Sequence, residues 1–264
     1  MMDRQPNQYI FWMRHGDCNQ ISGEGSEDKL NARGWKNIAE HAALYLRATV
    51  GSQEITPKQT SLTVSKKQRN TDTGQAVIVT AFNLPMEYRA EGRTFPQTRR
   101  DLKQIDWDNE LFYTRIDEGL TYPADNLNMD IYGNNPDDSI NFGLQNPDAT
   151  MHDGQPVERG SAMRHRIAST FHRTANSLFA NPNHRLAIVV GHAPYQVIPV
   201  FDSIKNLDPD GVNCVEDVGG HFKMGEAALF TFKHRPDLGG RYDLHLSRPS
   251  QDFTLDRQIS FSSI

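Results

Sequence analysis

Cysteine is nearly absent from this 264-residue chain: only Cys18 and Cys214 occur. Two thiols so far apart cannot form a disulfide framework, which points to a reducing compartment. An excess of positive charge is missing too. Lys and Arg number 28 against 33 Asp and Glu, for a formal net charge of -5. That argues against broad binding to nucleic acid or to an anionic membrane, both of which need a basic face. No apolar run approaches the roughly 18 residues of a membrane span, and no basic-plus-apolar leader precedes Tyr9. A cytoplasmic enzyme is the expectation. Hydrophobic residues make up 37% of the chain, enough for one sizeable core. At this length a single α/β domain remains possible.

What is present alternates between strand-like and helix-like patterns. Tyr9-Ile10-Phe11-Trp12-Met13 reads as a buried strand and runs into Arg14-His15-Gly16. A helix is expected after Asn31, a good N-cap, with Trp35, Ile38, Ala39, Ala42 and Leu46 facing the core. Ser61 to Ser65 suits a second strand, Lys66 to Phe82 a helix with Thr73, Ala76, Val77 and Thr80 on one side, and Met86 to Ala90 a third strand. Val157 to Phe179 returns to helical spacing. Arg185 to Gly191 contains Leu-Ala-Ile-Val-Val, the clearest buried strand, and leads into His192. A helix is expected from Tyr195 to Ile204, with Pro194 at its start. Ala227 to Phe232 and Tyr242 to Leu246 read as late antiparallel strands. The pattern predicts a three-layer α/β/α sandwich with a mostly parallel central sheet. Residues 91–155, crowded with Asp, Asn, Gly and Pro, read as a cap inserted into a single domain spanning 1–264, with little regular structure.

Two distant strands thus each end in a histidine beside a glycine, His15 before Gly16 and His192 after Gly191. In a parallel α/β sheet the carboxyl ends of the strands line the ligand crevice, so both imidazoles belong at one edge. Arg14 and His15 point oppositely while the strand persists, and a turn at Gly16 can bring both to one pocket. Arg69, near the start of a helix, projects over the same crevice. Guanidinium groups grip phosphate oxygens bidentately, so two arginines and two histidines suit a phosphoryl group better than a neutral substrate.

These residues carry a family resemblance. Arg14-His15-Gly16 resembles the signature of the histidine phosphatase superfamily, the phosphoglycerate-mutase-like enzymes. Leu30-Asn31-Ala32-Arg33-Gly34 resembles that family's Leu-Thr-x-x-Gly segment, Ser65-Lys66-Lys67-Gln68-Arg69 with Thr73 its Ser-Pro-x-x-Arg stretch, and Val189-Val190-Gly191-His192-Ala193 its second histidine motif. The resemblance implies that His15 becomes phosphorylated. It also implies that Arg14, Arg69 and His192 hold the phosphoryl oxygens and that no metal or cofactor takes part. The substrate would be a phosphorylated molecule whose identity, like the oligomeric state, stays open.

The chain departs from the family pattern in places. Gln104, within Leu102-Lys103-Gln104-Ile105-Asp106, stands where the family has its acid Glu, and glutamine cannot protonate a leaving alkoxide. Asp106 is the nearest replacement, with Asp17, Asp108, Glu110 and Glu158 as lesser candidates. Lys66 replaces a proline, and Asp17-Cys18-Asn19 does not continue as in a mutase. The expectation is therefore a phosphomonoester phosphatase working through His15. The alternatives are a phosphate-binding or regulatory protein with weakened chemistry, and a metal-dependent hydrolase ligated by His15 and His192. His221, in Gly219-Gly220-His221, lies in a turn able to reach the pocket, yet it reads, like the remaining histidines, as an ordinary surface or packing residue.

Overall fold

The computed structural model describes residues 6–18, 30–65, 68–83, 106–107, 110–111, 113–116, 136–152, 155–156, 158–181, 183–191, 195–206, 210–235, 241–251 and 253–259. A seven-stranded sheet organises them. β1 (Gln8–Arg14) lies between β8 (Leu186–Gly191), which is parallel to it, and β9 (Ala227–Arg235), which is antiparallel. Beyond β8 come β2 (Thr60–Val64) and β5 (Tyr113–Ile116), both parallel. Beyond β9 come β10 (Arg241–Arg248) and β11 (Phe253–Ile259), both antiparallel to their neighbours. The order is β11-β10-β9-β1-β8-β2-β5. Since β9 runs against β1 and β10 against β9, five of the seven strands point the same way.

Helices cover both faces, as the α/β/α reading requires. β1 shows why the sequence had no polar alternation there. Tyr9, Phe11 and Met13 pack into one core with Ile38, Leu46, Val50, Val77 and Ile78. Ile10 and Trp12 pack into the other with Met163, Ile167, Phe171, Ile198 and Phe201. A strand buried on both faces reads as a continuous apolar run. The first core is roofed by α1 (Ala32–Asn37), a π-helical turn (Ile38–Ala42), α2 (Ala43–Ser52) and α3 (Gln68–Ala81). Asn31 is the N-cap of α1, its side chain accepting from Gly34 N. The expected face of α1–α2 is met at Ile38, Ala42 and Leu46, while Trp35 and Ala39 are half-buried. α3 was expected to bury one side, yet every residue from Asn70 to Val79 is buried.

The other face carries α4 (Pro136–Gln145), α5 (Gly160–Ala180) and α6 (Ile198–Lys205). α5 buries Met163, Ile167, Phe171 and Leu178, as its spacing predicts. Short hairpins pair β3 (Asp106–Trp107) with β4 (Glu110–Leu111), and β6 (Met151–His152) with β7 (Gln155–Pro156).

Residues 91–155 are a correction: those of them that are described hold regular structure. β5 is the edge strand of the main sheet. α4 begins at Pro136, where a proline suits the first helical position, and Asp137 and Asp138 in its first turn favour the positive end of the helix dipole. The Pro and Asp that read as loop are helix-start residues. β11 was not anticipated. The expected strand Met86 to Ala90 lies outside the described residues. No described helix is long and apolar enough to cross a membrane.

Candidate active site

The carboxyl ends of three strands meet at one point. Arg14 stands opposite Gly191 in the β1–β8 register. His15 N–H continues that pairing by donating to Gly191 O at 3.1 Å, and Ser65 N–H, just past β2, donates to Val190 O at 3.2 Å. The strands carrying the two histidine motifs are therefore neighbours and end level, an adjacency that the sequence alone left open. His192 itself, one residue beyond Gly191, lies outside the described residues. Gly191 is set by close approach: a Cβ there would stand 2.1 Å from Gln196 Nε2.

His15 is only 3% exposed. Its Nδ1 lies 2.7 Å from Gly16 O. A carbonyl oxygen only accepts, so Nδ1 carries the proton and the lone pair of the neutral ring sits on Nε2. Burial first, then the charges of Arg69 and Arg14, push the imidazole pKa down to about 3, against the pull of the Gly16 carbonyl. At neutral pH the ring is uncharged and its Nε2 is nucleophilic.

Arg14 and Arg69 both act on this ring, although they come from different elements. Arg14 ends β1, and its Nη1 donates to Phe222 O at 2.7 Å. Its Nε is buried with no hydrogen-bond partner among the described residues. Burial and the like charge of Arg69 lower its pKa to about 10, so it stays protonated at neutral pH. Arg69 sits in the first turn of α3, and its Nη1 reaches Cys18 Sγ at 3.8 Å. Thr73 joins the two segments: its hydroxyl accepts from Gly16 N at 3.0 Å and donates to Arg69 O at 2.7 Å. That bond gives a physical reason for Thr73 one turn after Arg69.

The chain leaving His15 is held by the start of α1. Asp17 O accepts from Asn31 N at 3.1 Å, Cys18 forms an isolated antiparallel bridge with Leu30, and Asp72 accepts from Leu30 N at 3.1 Å. A Cβ at position 34 would lie 2.1 Å from Asp17 O, so Gly34 lets helix and loop touch.

Of the acid candidates, Asp106 and Glu110 have their backbones in β3 and β4, and their side chains lie outside the described residues, as do Gln104 and Asp108. Glu158 is engaged elsewhere, pairing with Arg166 at 2.8 Å. Asp17 follows Gly16 and lies 3.8 Å from the exposed Arg33. His221 packs against Asp137, to which its ring lies at 3.1 Å. Phe222, Glu226 and Arg248 were not anticipated. Phe222 serves through its carbonyl, which every residue has, so no sequence signal marks it.

No protein-family model matches the chain, and no curated protein matches it. Among solved structures it is similar to a mycobacterial glucosyl-3-phosphoglycerate phosphatase, 13% identical over 92% of this chain and 97% of that one, with a TM-score of 0.43. It is also similar to the protein histidine phosphatase SixA solved with tungstate, 13% identical over 96% and 97%, TM-score 0.39. A third is the Hafnia alvei phytase in complex with tartrate, 10% identical over 99% and 92%, TM-score 0.43.

Proposed function

We propose that this chain is a phosphomonoester phosphatase that works through a phosphohistidine on His15 without a metal. One observation carries the reading: a buried imidazole whose Nδ1 is held by Gly16 O, leaving the lone pair on Nε2, in the field of the Arg69 and Arg14 charges. Nε2 attacks phosphorus, the N–P bond forms, and the ester P–O bond breaks. The leaving alkoxide takes a proton from a carboxyl group, which we assign to Asp106. Water then attacks phosphorus, giving a proton back to the Asp106 carboxylate, and the N–P bond breaks, releasing inorganic phosphate and restoring the neutral ring. Such transfer depends mostly on in-line positioning and charge stabilisation, which Arg14, Arg69 and His192 would supply at the equatorial oxygens. Two guanidiniums at the same ring also repel a divalent cation, which disfavours a metal-dependent hydrolase using His15 as a ligand. Residues 91–155 would select the substrate as a cap, apart from β5, which belongs to the sheet.

Gln104 in the expected acid position favours one second reading, a phosphate-binding regulatory protein with weakened turnover. Rapid-quench mixing with a radiolabelled aryl phosphate separates the two. The phosphatase reading expects acid-labile label on the wild-type protein and none on His15→Asn, with turnover falling by about 10³-fold or more, as when a covalent nucleophile is removed. Undiminished turnover in His15→Asn refutes it. Orthovanadate binding with no label and no turnover establishes the regulatory reading.

A further inference from the structure

Behind Arg14 lies an ion pair that the proposed chemistry does not use. Arg248, at the end of β10, is 0% exposed, and Glu226, just before β9, is 6% exposed. Arg248 Nε and Nη2 meet Glu226 Oε1 at 3.0 and 2.5 Å. Replacing a buried ion pair by apolar residues is often neutral or stabilising, so stability alone is a poor account of this one.

Its remaining contacts converge on the segment that touches Arg14 and His15. Arg248 Nη1 donates to Val218 O and, at 2.9 Å, to Gly220 O, and its guanidinium stands 4.5 Å from the centre of the Phe222 ring. Glu226 Oε2 accepts from Lys223 N at 2.8 Å. Residues 218–226 are thus pinned at both ends by one ion pair. The same segment makes three bonds to the site. Phe222 O accepts from Arg14 Nη1, Glu226 O accepts from Arg14 N at 3.0 Å, and Gly225 N donates to His15 O at 2.9 Å.

We infer that the Arg248–Glu226 pair is a positioning device for Arg14, fixing its guanidinium through the Phe222 carbonyl so that it meets a phosphoryl oxygen. The inference rests on the phosphatase reading above. Neither residue touches substrate. A guanidinium swinging free of Phe222 would still carry its charge but would lose the orientation that bidentate contact to phosphate requires.

A double-mutant cycle tests this, with orthovanadate affinity by calorimetry and kcat on an aryl phosphate as readouts. Glu226→Leu with Arg248→Met removes the pair without stranding a charge. If the pair acts through Arg14, this replacement weakens vanadate binding by about ten-fold in the wild-type background and by under about two-fold in Arg14→Ala, because coupled residues are non-additive. An equal loss in both backgrounds, or no loss in either, overturns the inference and leaves a merely structural pair. Should the double replacement not fold, Glu226→Gln carries the same cycle: it removes the carboxylate charge, and with its amide oxygen toward Arg248 its NH2 group faces Lys223 N donor to donor, so the pinning of the segment is broken. Failure of the wild-type protein to bind vanadate refutes the phosphatase reading, and the inference with it.

Discussion

His15 is held neutral at a cost to stability in acid. Its pKa in the fold is about 3, against an ordinary value near 6.5. Between those two values the unfolded chain binds a proton that the folded chain refuses. Unfolding then takes up protons, so stability falls as the pH falls through this window and is fully present above pH 6.5. From pH 7 to pH 5 the ring alone removes about 2 kcal/mol. His15→Asn has no such group, so its urea midpoint should drop less than that of the wild type over the same interval. Equal drops in both proteins would mean that His15 titrates normally and is not walled in by burial and the two arginines. The kinetic corollary has the same sign: a ring neutral down to about pH 3 cannot set the acid limb of kcat/KM near pH 5 or 6, so that limb belongs to another group.

Two glycines show how elements are brought together. Gly191 ends β8 against Gln196, and Gly34 lets α1 touch the backbone of Asp17; a Cβ at either would meet its neighbour at 2.1 Å. The two neighbours differ in how they can yield. Gln196 offers a side-chain amide, but it is 1% exposed and its backbone carbonyl accepts from Trp12 Nε1 at 3.0 Å. Asp17 O is backbone and is already bonded to Asn31 N. Gly34→Ala should therefore destabilise more than Gly191→Ala, by roughly 3 against roughly 1 kcal/mol on the scale of overpacked sites. Denaturant midpoints of the two variants check the order, and the reverse order would show that α1 can tilt away from the loop. The motifs legible in the sequence are of this kind. Arg14-His15-Gly16, Asn31, Arg69, Thr73 and Gly191 can be read because each fills a place that few residue types can fill. β1, β8 and α5 were legible from apolar spacing strong enough to override other signals. α4 was missed because Pro136, Asp137 and Asp138 serve turns and helix starts alike, and the choice between them is made by contacts such as Asp137 to His221 N at 2.7 Å. The Arg248–Glu226 pair joins the end of β10 to a position 22 residues earlier, just before β9, and nothing local to either marks it.

At the scale of the whole molecule, the sheet gathers like charge at its edge. β1 contributes Arg14 and α3 contributes Arg69, and the charge of Arg69 is the second cause, after burial, of the depressed Arg14 pKa and of the depressed His15 pKa. A fold that concentrates two guanidiniums in a partly buried site carries a repulsion that a tetrahedral anion between them would relieve. Anions bound only by the folded state stabilise it by mass action, about 2.7 kcal/mol at a hundred-fold excess over Kd. For a chain of this size that corresponds to a rise in Tm of about 5 °C or more. Inorganic phosphate or orthovanadate should produce this rise at constant ionic strength. Sodium chloride at the same ionic strength serves as the control for general salt effects, which act by screening rather than through the site. Arg14→Ala should lose most of the shift and Arg69→Ala likewise, whereas Arg33→Ala, an exposed arginine paired with Asp17 at 3.8 Å, should keep it. A shift that survives the loss of both Arg14 and Arg69 would place the anion elsewhere on the molecule, and the convergence of strand end and helix start on one phosphoryl group would have to be abandoned.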